Sequence, residues 1–292
     1  MAERIRIVEV GPRDGLQNEA VTLPVATRVA FIEKLIAAGL KTIEAGSFVS
    51  PRKVPQMAET AAILKAFEGR RGVSLPVLVP NMTGLEAALA AGAREIAVFA
   101  AASETFSLKN INGSIEESFE RFAPVVARAR AEGVAVRGYV SCVLGCPYEG
   151  AVPLARAADV ARRLAALGCY EISLGDTIGV GTPDTACAML RAVAERVPMN
   201  SLAVHFHDTE GRAVANIRAC LEEGVRVVDS AAGGLGGCPY APGASGNVAT
   251  EDVVYLLDGL GFETGVDRAA VIEAARFAFE ALGKKRVTPR TP

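Results

Sequence analysis

The hydrophobic pattern of the chain alternates between two kinds of segment from one end to the other. Short apolar, β-branched runs, typical of strands buried on both faces, are separated by longer Ala-rich stretches with helical spacing. The runs predict eight strands, at residues 5–10, 42–45, 74–79, 95–100, 134–141, 170–174, 202–206 and 225–230. The helical stretches include residues 24–38, 114–131, 153–167, 183–196 and 211–222.

Eight strand–helix units in succession predict an α/β fold, a parallel (β/α)8 TIM barrel. The alternative is an open doubly wound sheet. The sequence after the first strand disfavours it, because it reads Gly-Pro-Arg-Asp-Gly and lacks the G-x-G-x-x-G of a dinucleotide-binding sheet. No linker divides the chain, so we expect a single domain over 1–292, with the catalytic barrel at 5–262. A C-terminal helical extension and tail, 263–292, is predicted to follow, with its helix at 266–282.

Composition and charge exclude several classes of protein. Half of the residues are hydrophobic, which excludes disorder for most of the chain, and a net charge of −2 offers no basic surface to nucleic acid. No apolar run approaches the ~18 residues of a membrane helix, and the first residues enter a strand pattern without a signal-like core. The six scattered cysteines are typical of reduced thiols. We therefore expect a cytoplasmic protein that binds neither nucleic acid nor a membrane, and we expect a homo-oligomer, either a dimer or a tetramer.

Polar residues recur where the predicted strands end. In a TIM barrel this C-terminal face carries the active site. The residues that the pattern brings there are Arg13, Asp14, Glu44, Asn110, Tyr139, Asp176, His205, His207 and Asn247.

His205 and His207, the two histidines of the chain, stand in one predicted strand. Residues two apart in a strand face the same way, so the two imidazoles are close enough to share a metal ion. Asp14 and Asn247 would add oxygen ligands from the first and eighth strands, which are neighbours in a closed barrel. Nitrogen and oxygen ligands of this kind favour Mg²⁺ or Mn²⁺ over thiolate-bound zinc. The alternative is that both histidines are ordinary polar residues at a strand end.

Two charged residues near this pair, Arg13 and Asp176, have two interpretations each. Arg13 either closes the barrel floor by a salt bridge or stabilises a developing oxyanion, and Glu44 would hold it by a charge-assisted hydrogen bond. Asp176 is either a helix cap or a carboxylate that faces the cation.

Cys238 lies in a glycine-rich run at residues 233–247. Such a run is able to close over a substrate, and a thiol on it is a candidate general acid or base. The alternative is a flexible turn that happens to contain a cysteine. Cys142 and Cys146 are interpreted as structural thiols, because no second cysteine pair is near them in sequence.

Four segments, at residues 8–19, 173–183, 205–209 and 233–247, resemble the hydroxymethylglutaryl-CoA lyases, and the similarity extends from about residue 5 to residue 266. The resemblance implies a metallolyase TIM barrel with a divalent cation, Mg²⁺ or Mn²⁺, and an acyl-CoA substrate. It implies metal ligands at Asp14, His205, His207 and Asn247, catalytic roles for Cys238, Arg13, Glu44 and Asp176, and substrate binding by Arg13, Gln17, Asn110 and Tyr139. The chain departs from animal members at Phe206, at Ala20 in place of lysine, and at Arg52-Lys53.

The implied reaction is a retro-Claisen cleavage of 3-hydroxy-3-methylglutaryl-CoA to acetoacetate and acetyl-CoA. His205, Asp14 and Cys238 remain alternatives for the base. The alternative activities are cleavage of a larger 3-hydroxy-3-alkylglutaryl-CoA and a Claisen condensation by a synthase of the same superfamily. An inactive barrel that serves as a binding scaffold is a further alternative, which the complete set of polar residues disfavours.

Overall fold

A computed structural model describes residues 3–236 and 246–284 of the protein. Nine parallel strands form one sheet in the order β2-β1-β9-β8-β7-β6-β5-β4-β3. Their bounds are β1 Arg6–Glu9, β2 Thr42–Ile43, β3 Gly46–Ser47, β4 Val77–Leu78, β5 Glu95–Ala101, β6 Ala135–Ser141, β7 Glu171–Asp176, β8 Leu202–Phe206 and β9 Val227–Ser230. Each of the eight predicted strands is found, and the second is divided into β2 and β3.

The two ends of this sheet are consecutive pieces of one extended segment. β2 pairs with β1, and β3 pairs with β4. Between them, the Glu44 amide donates to the Glu9 carbonyl at 2.8 Å, and the Ala45 amide donates to the Pro76 carbonyl at 2.9 Å. The sheet therefore closes into an eight-stranded barrel, as predicted. β4 is shorter than predicted because Pro76 has no N–H to donate to the ladder.

Ten α-helices accompany the strands in the described part of the chain. They are α1 Val25–Ala37, α2 Thr60–Ala66, α3 Met82–Ala90, α4 Glu104–Ile111, α5 Ile115–Ala131, α6 Leu154–Leu167, α7 Pro183–Ala194, α8 Ala213–Glu222, α9 Thr250–Gly259 and α10 Arg268–Ala281. The Ser114 hydroxyl and the Glu117 carboxylate form a capping box that starts α5. All five named helices are found. α10 is the predicted C-terminal helix, and its N-cap Asp267 donates its backbone N–H to the Ala38 carbonyl at the end of α1.

The barrel interior is unusually polar on one side. Arg137, Glu171 and Asp229 are charged residues on β6, β7 and β9, and all three are buried. A small apolar cluster of Leu78, Ala97 and Tyr139 adjoins these charges, and Arg137 donates to the Tyr139 hydroxyl at 2.8 Å. Most buried aliphatic side chains instead belong to one large core cluster. Within residues 3–236 and 246–284, no helix combines the length and the apolar character needed to cross a membrane.

Candidate metal and catalytic site

A tight turn after β1 brings two charged side chains to the C-terminal face. Residues Gly11–Gly15 form one π-helical turn, in which the amides of Arg13 and Gly15 both donate to the Val10 carbonyl at 3.1 Å. A side chain at Gly15 would meet Cβ of Leu235 at 2.9 Å, so the turn packs directly on the chain that follows β9. The adjacent side chains of Arg13 and Asp14 are therefore fixed beside the ends of β8 and β9.

Glu9 holds this turn in place from below. Its buried carboxylate accepts hydrogen bonds from the amides of Gly11 and Ala232, both at 2.9 Å, and from the Thr250 hydroxyl at 2.7 Å. One side chain thus ties the β1 turn to the chain after β9 and to the start of α9. Burial, which outweighs these hydrogen bonds, raises the pKa of Glu9 to about 7.

Asp14, His205 and His207 form a group whose ligand atoms all lie within 4.8 Å of one another. Oδ2 of Asp14 is 3.9 Å from Nε2 of His205 and 4.0 Å from Nε2 of His207. The two rings face the same side of the chain at the end of β8, as the alternation of strand side chains predicts. One carboxylate and two imidazoles directed at one point are donors that suit a divalent cation.

The charges in this group match the protonation that metal ligands need. Burial would raise the pKa of Asp14, but Arg13 and the two histidines lower it to about 2. Burial, together with the neighbouring His205, lowers the pKa of His207 to about 4. Near pH 7, Asp14 is therefore ionised and His207 is neutral, which are the forms that bind a metal ion.

Asn247 borders the group without belonging to it. His207 and Asn247 form an antiparallel bridge, and Nδ2 of Asn247 donates to Oδ2 of Asp14 at 2.9 Å and to the Leu235 carbonyl at 3.1 Å. Its amide nitrogen, rather than its oxygen, therefore faces Asp14. Ligation by Asn247 stays a prediction.

Arg13 is held between two carboxylates. Its Nε donates to Oε2 of Glu44 at 2.7 Å, and Nη1 donates to Oδ1 of Asp14 at 2.7 Å. The guanidinium carbon also lies 5.6 Å from the ring centroid of Tyr139. Burial raises the pKa of Glu44, although the attached Arg13 opposes this. The salt bridge expected of Arg13 is present, and it leaves the guanidinium beside the three-residue group.

The HMGL-like family model matches residues 4–278 of this chain. The chain belongs to the HMGL-like family. The mitochondrial hydroxymethylglutaryl-CoA lyase of Rattus norvegicus is 57% identical to it, over 98% of this chain and 88% of that protein. The cytoplasmic 3-hydroxy-3-methylglutaryl-CoA lyase of Rattus norvegicus is 57% identical, over 97% of this chain and 83% of that protein.

A solved structure agrees with these HMGL-like relatives. The hydroxymethylglutaryl-CoA lyase from Pseudomonas aeruginosa has a TM-score of 0.96 to this chain at 55% identity, with coverage of 99% of this chain and 96% of that one. The resemblance found in the sequence is confirmed, and so is the TIM-barrel fold.

The other residues that the HMGL-like resemblance implicates lie at varying distances from the group. Tyr139 lies inside the barrel, with its ring centroid 6.0 Å from that of His205. Asp176 accepts hydrogen bonds from the amides of Val180 and Gly181, at 3.3 and 2.8 Å, and so shapes the loop before α7. This contact is a loop cap rather than a helix N-cap, because Thr182 caps α7.

Three further residues complete that list of candidates. Gln17 is half-buried, and its amide oxygen is buried without a hydrogen-bond partner. Asn110 is exposed on α4, in the connection from β5 to α5. Cys238 lies outside the described residues, so its predicted role stays a prediction.

Sequence reasoning missed the buried charges behind the site. Arg137 donates to both carboxylate oxygens of Asp229 and to Glu171, and Glu9 anchors the β1 turn. The available signal was a charged residue inside an apolar strand, as in Val-Val-Asp-Ser at residues 227–230. Such a residue must find a partner in the core or a function.

Proposed function

We propose that this protein is a divalent-metal-dependent carbon–carbon lyase that cleaves 3-hydroxy-3-methylglutaryl-CoA to acetoacetate and acetyl-CoA. The observation that carries the proposal is the group of Asp14, His205 and His207 directly beside Arg13, in a chain 57% identical to hydroxymethylglutaryl-CoA lyases. The ionised carboxylate and the imidazoles fit an oxygen-seeking cation, either Mg²⁺ or Mn²⁺. Asn247 is proposed as a further ligand.

The chain's own residues have distinct tasks in a retro-Claisen cleavage. When bound, the cation supplies Lewis acidity toward the tertiary hydroxyl and the carboxylate of the substrate. A base removes the hydroxyl proton, the bond between the carbinol carbon and the carbon next to the thioester breaks, and its electron pair passes to the thioester. The resulting ketone is acetoacetate, and protonation of the enolate carbon gives acetyl-CoA.

Arg13 is proposed to stabilise the enolate oxygen. Its guanidinium is fixed by Glu44 and Asp14 before substrate arrives, so no reorganisation is needed as the charge develops. Glu44 is therefore assigned the task of orienting Arg13. Asp176 orients the loop before α7, and Gln17, Asn110 and Tyr139 remain proposed substrate contacts.

Cys238 is proposed as the acid that protonates the enolate carbon. The described residues that flank residues 237–245 support this placement. A Cβ on Gly236 would lie 3.0 Å from Nδ2 of Asn247, and a Cβ on Gly246 would lie 1.9 Å from the carbonyl oxygen of Gly236. Gly236 and Gly246 therefore lie next to each other, close to the metal-binding group of Asp14, His205 and His207.

The base remains open between His205 and Cys238. Asp14 is a weaker candidate, because a group with a pKa of about 2 holds a proton poorly near pH 7.

The decisive experiment measures acetyl-CoA release with and without Mg²⁺ or Mn²⁺, over a panel of 3-hydroxy-3-alkylglutaryl-CoA thioesters. Metal-dependent release that is fastest with the 3-methyl substrate supports the proposal. Faster release from a longer alkyl chain would assign a larger substrate. Net condensation of acetyl-CoA with a keto acid would assign a synthase. No turnover in either direction would mean that the protein is an inactive barrel that serves as a binding scaffold.

Compartment and assembly are separate proposals. The relatives include one mitochondrial and one cytoplasmic enzyme, and we propose that this protein acts in the cytoplasm as a homodimer or homotetramer on acyl-CoA, without nucleic acid. The six cysteines are scattered along the sequence, which is typical of reduced thiols and favours a reducing compartment. Cell fractionation and light scattering of the purified protein test these two statements.

A further inference from the structure

A chain of buried charges extends across the barrel interior beneath the metal-binding group. Arg137 on β6 donates from Nη2 to Oδ1 of Asp229 at 2.7 Å and from Nη1 to Oδ2 at 2.9 Å. Its Nε donates to Oε1 of Glu171 at 2.8 Å, and Arg6 pairs with the other oxygen of Glu171. Arg137 and both carboxylates are buried, whereas the Arg6 side chain is 36% exposed, so the chain of charges ends toward solvent at Arg6.

One end of this chain meets a member of the metal-binding group. Asp229 and His205 are register partners on β9 and β8, and Oδ2 of Asp229 lies 3.4 Å from Nδ1 of His205. The opposite ring nitrogen, Nε2, is the atom that lies 3.9 Å from Asp14. The imidazole of His205 therefore bridges two carboxylates, with one nitrogen directed at each.

Nδ1 of His205 and Oδ2 of Asp229 are close neighbours, 3.4 Å apart, but they do not form a hydrogen bond of normal geometry. Nδ1 of His205 is buried, and no hydrogen bond of normal geometry reaches it. A buried ring nitrogen beside a fixed carboxylate has one favourable arrangement, in which Nδ1 carries the proton and donates it to that carboxylate. Such contacts are often loose in a free protein and shorten when the site is occupied.

The carboxylate of Asp229 has little freedom to turn away. Arg137 binds both of its oxygens, and the Ser173 hydroxyl donates to Oδ2 at 2.8 Å. Three hydrogen bonds, two from Arg137 and one from Ser173, therefore hold the Asp229 carboxylate beside His205. His207 differs, because its Nδ1 is also buried but has no such carboxylate in the described contacts.

We propose that Asp229 is a positioning residue for the metal site. It accepts the Nδ1 proton of His205 and so fixes the tautomer whose Nε2 lone pair faces Asp14, while Arg137 and Ser173 hold Asp229 in place. This inference rests on the metal-binding part of the proposed function. The competing explanation is that Asp229 serves solely to neutralise Arg137.

The first test needs neither a variant nor a metal. The chain has two histidines, so two-bond ¹⁵N–¹H correlation spectra of the metal-free protein resolve both rings, and His207→Gln assigns them. We expect His205 in the Nδ1–H form. The Nε2–H form for His205 in the folded wild-type protein would overturn the proposal, whether or not the protein binds metal or has activity.

The second test compares two substitutions that each remove one carboxylate from Arg137. Asp229→Ala also removes the partner of His205, whereas the matched control Glu171→Ala leaves it intact. We expect Asp229→Ala to weaken Mn²⁺ binding about 10- to 100-fold and to mix the His205 tautomers. Glu171→Ala is expected to change Mn²⁺ affinity less than about threefold and to keep the tautomer.

Equal loss of Mn²⁺ affinity in both variants, with the His205 tautomer unchanged in both, would assign Asp229 to charge neutralisation alone. If wild-type protein itself binds no Mn²⁺, the metal-dependent function fails, while the tautomer spectrum still decides the role of Asp229. If Asp229→Ala does not fold, the spectrum of the wild-type protein decides alone.

Discussion

Arg13 and Glu44 form a buried pair in which a single carboxylate oxygen of Glu44 contacts the guanidinium. Oε2 accepts from the guanidinium at 2.7 Å, while Oε1 is buried without a hydrogen-bond partner. The pair is therefore more than a neutralised charge, since it fixes the direction of the guanidinium and keeps one acceptor unused. The proposed role of Arg13 toward the substrate depends on this fixed direction.

Arg13→Met keeps the bulk of the side chain and removes its charge. A lost oxyanion stabiliser costs on the order of 3 kcal/mol, so kcat is expected to fall about 10²- to 10³-fold while Mn²⁺ still binds. Steady-state kinetics and Mn²⁺ titration measure the two effects. A fall in kcat of less than about threefold would assign Arg13 a purely structural role.

Removal of the metal ion is expected to abolish activity, and Mg²⁺ or Mn²⁺ is expected to restore it. Asp14→Ala and His207→Ala each remove one of few proposed protein ligands, so both should weaken Mn²⁺ binding in calorimetry. The physical reason is that the three ligand atoms converge within 4.8 Å and none has a substitute in the described group. A crystal soaked in Mn²⁺ that shows no anomalous peak among these residues would refute the site.

Cys238→Ser keeps the size of the side chain and raises its pKa greatly, so proton transfer should fail while substrate binding stays near normal. General acid–base groups contribute about 10² to 10⁴ in rate, which gives the expected fall in kcat with little change in KM. Alkylation is expected to be fastest at Cys238, and substrate should protect it.

The control for that experiment is Cys187, which is the half-buried thiol among the described cysteines. The Cys187→Ser variant is expected to keep its activity and to lose that activity on alkylation as the wild-type protein does. Unchanged kcat in Cys238→Ser would show that the glycine-rich run carries no catalytic thiol.

Gly246→Ala tests whether the two flanks of residues 237–245 must touch. An added Cβ would lie 1.9 Å from the Gly236 carbonyl oxygen, so the backbone beside Asn247 must shift. We expect kcat to fall more than tenfold, on the order of what displaced catalytic groups lose. Gly259→Ala is the matched control because a Cβ there meets no atom within 4 Å. Similar activities in the two variants would contradict the requirement for close contact.

Glu9→Gln tests the buried carboxylate under the β1 turn. Burial raises its pKa from 4.5 to about 7, so the folded state binds the proton more tightly than the unfolded state. Its contribution to stability is therefore complete below about pH 4.5 and is lost as the pH rises through 7, a change of about 3 kcal/mol. Glu9→Gln should flatten this dependence between pH 4.5 and 7.

Urea denaturation of wild type and Glu9→Gln across that pH window measures the difference in unfolding free energy. As the pH increases, the variant is expected to become more stable relative to the wild type. The reason is that Gln still accepts from the amides of Gly11 and Ala232 and carries no charge. A difference in unfolding free energy that stays constant with pH would mean that Glu9 does not titrate in this range.

The sequence predicts the barrel because its signal is local. The run at 202–206 coincides with β8, since apolar periodicity and flanking polar residues define a strand without reference to its neighbours. The meeting of Asp14 with His205 and His207 follows from two general rules. Side chains alternate along a strand, and the first strand of a closed barrel pairs with the last, here β1 with β9.

The pairing of Arg137 with Asp229 could not be predicted in the same way. β6 and β9 are separated by two strands in the sheet, and their side chains meet through the barrel interior. Sequence spacing gives no distance across a closed barrel. The partner of a buried charge therefore had to come from the structure.

The buried pair of Arg137 and Asp229 has a consequence for how such a barrel diverges. Removal of Arg137 leaves the buried carboxylate of Asp229 without its ionic partner, which destabilises a protein more than replacing a buried pair by apolar residues does. We therefore expect Arg137 and Asp229 to change together rather than one at a time. An engineer who seeks a more heat-resistant barrel would keep Arg137 and Asp229, because their exchange for apolar residues would also remove the carboxylate beside His205.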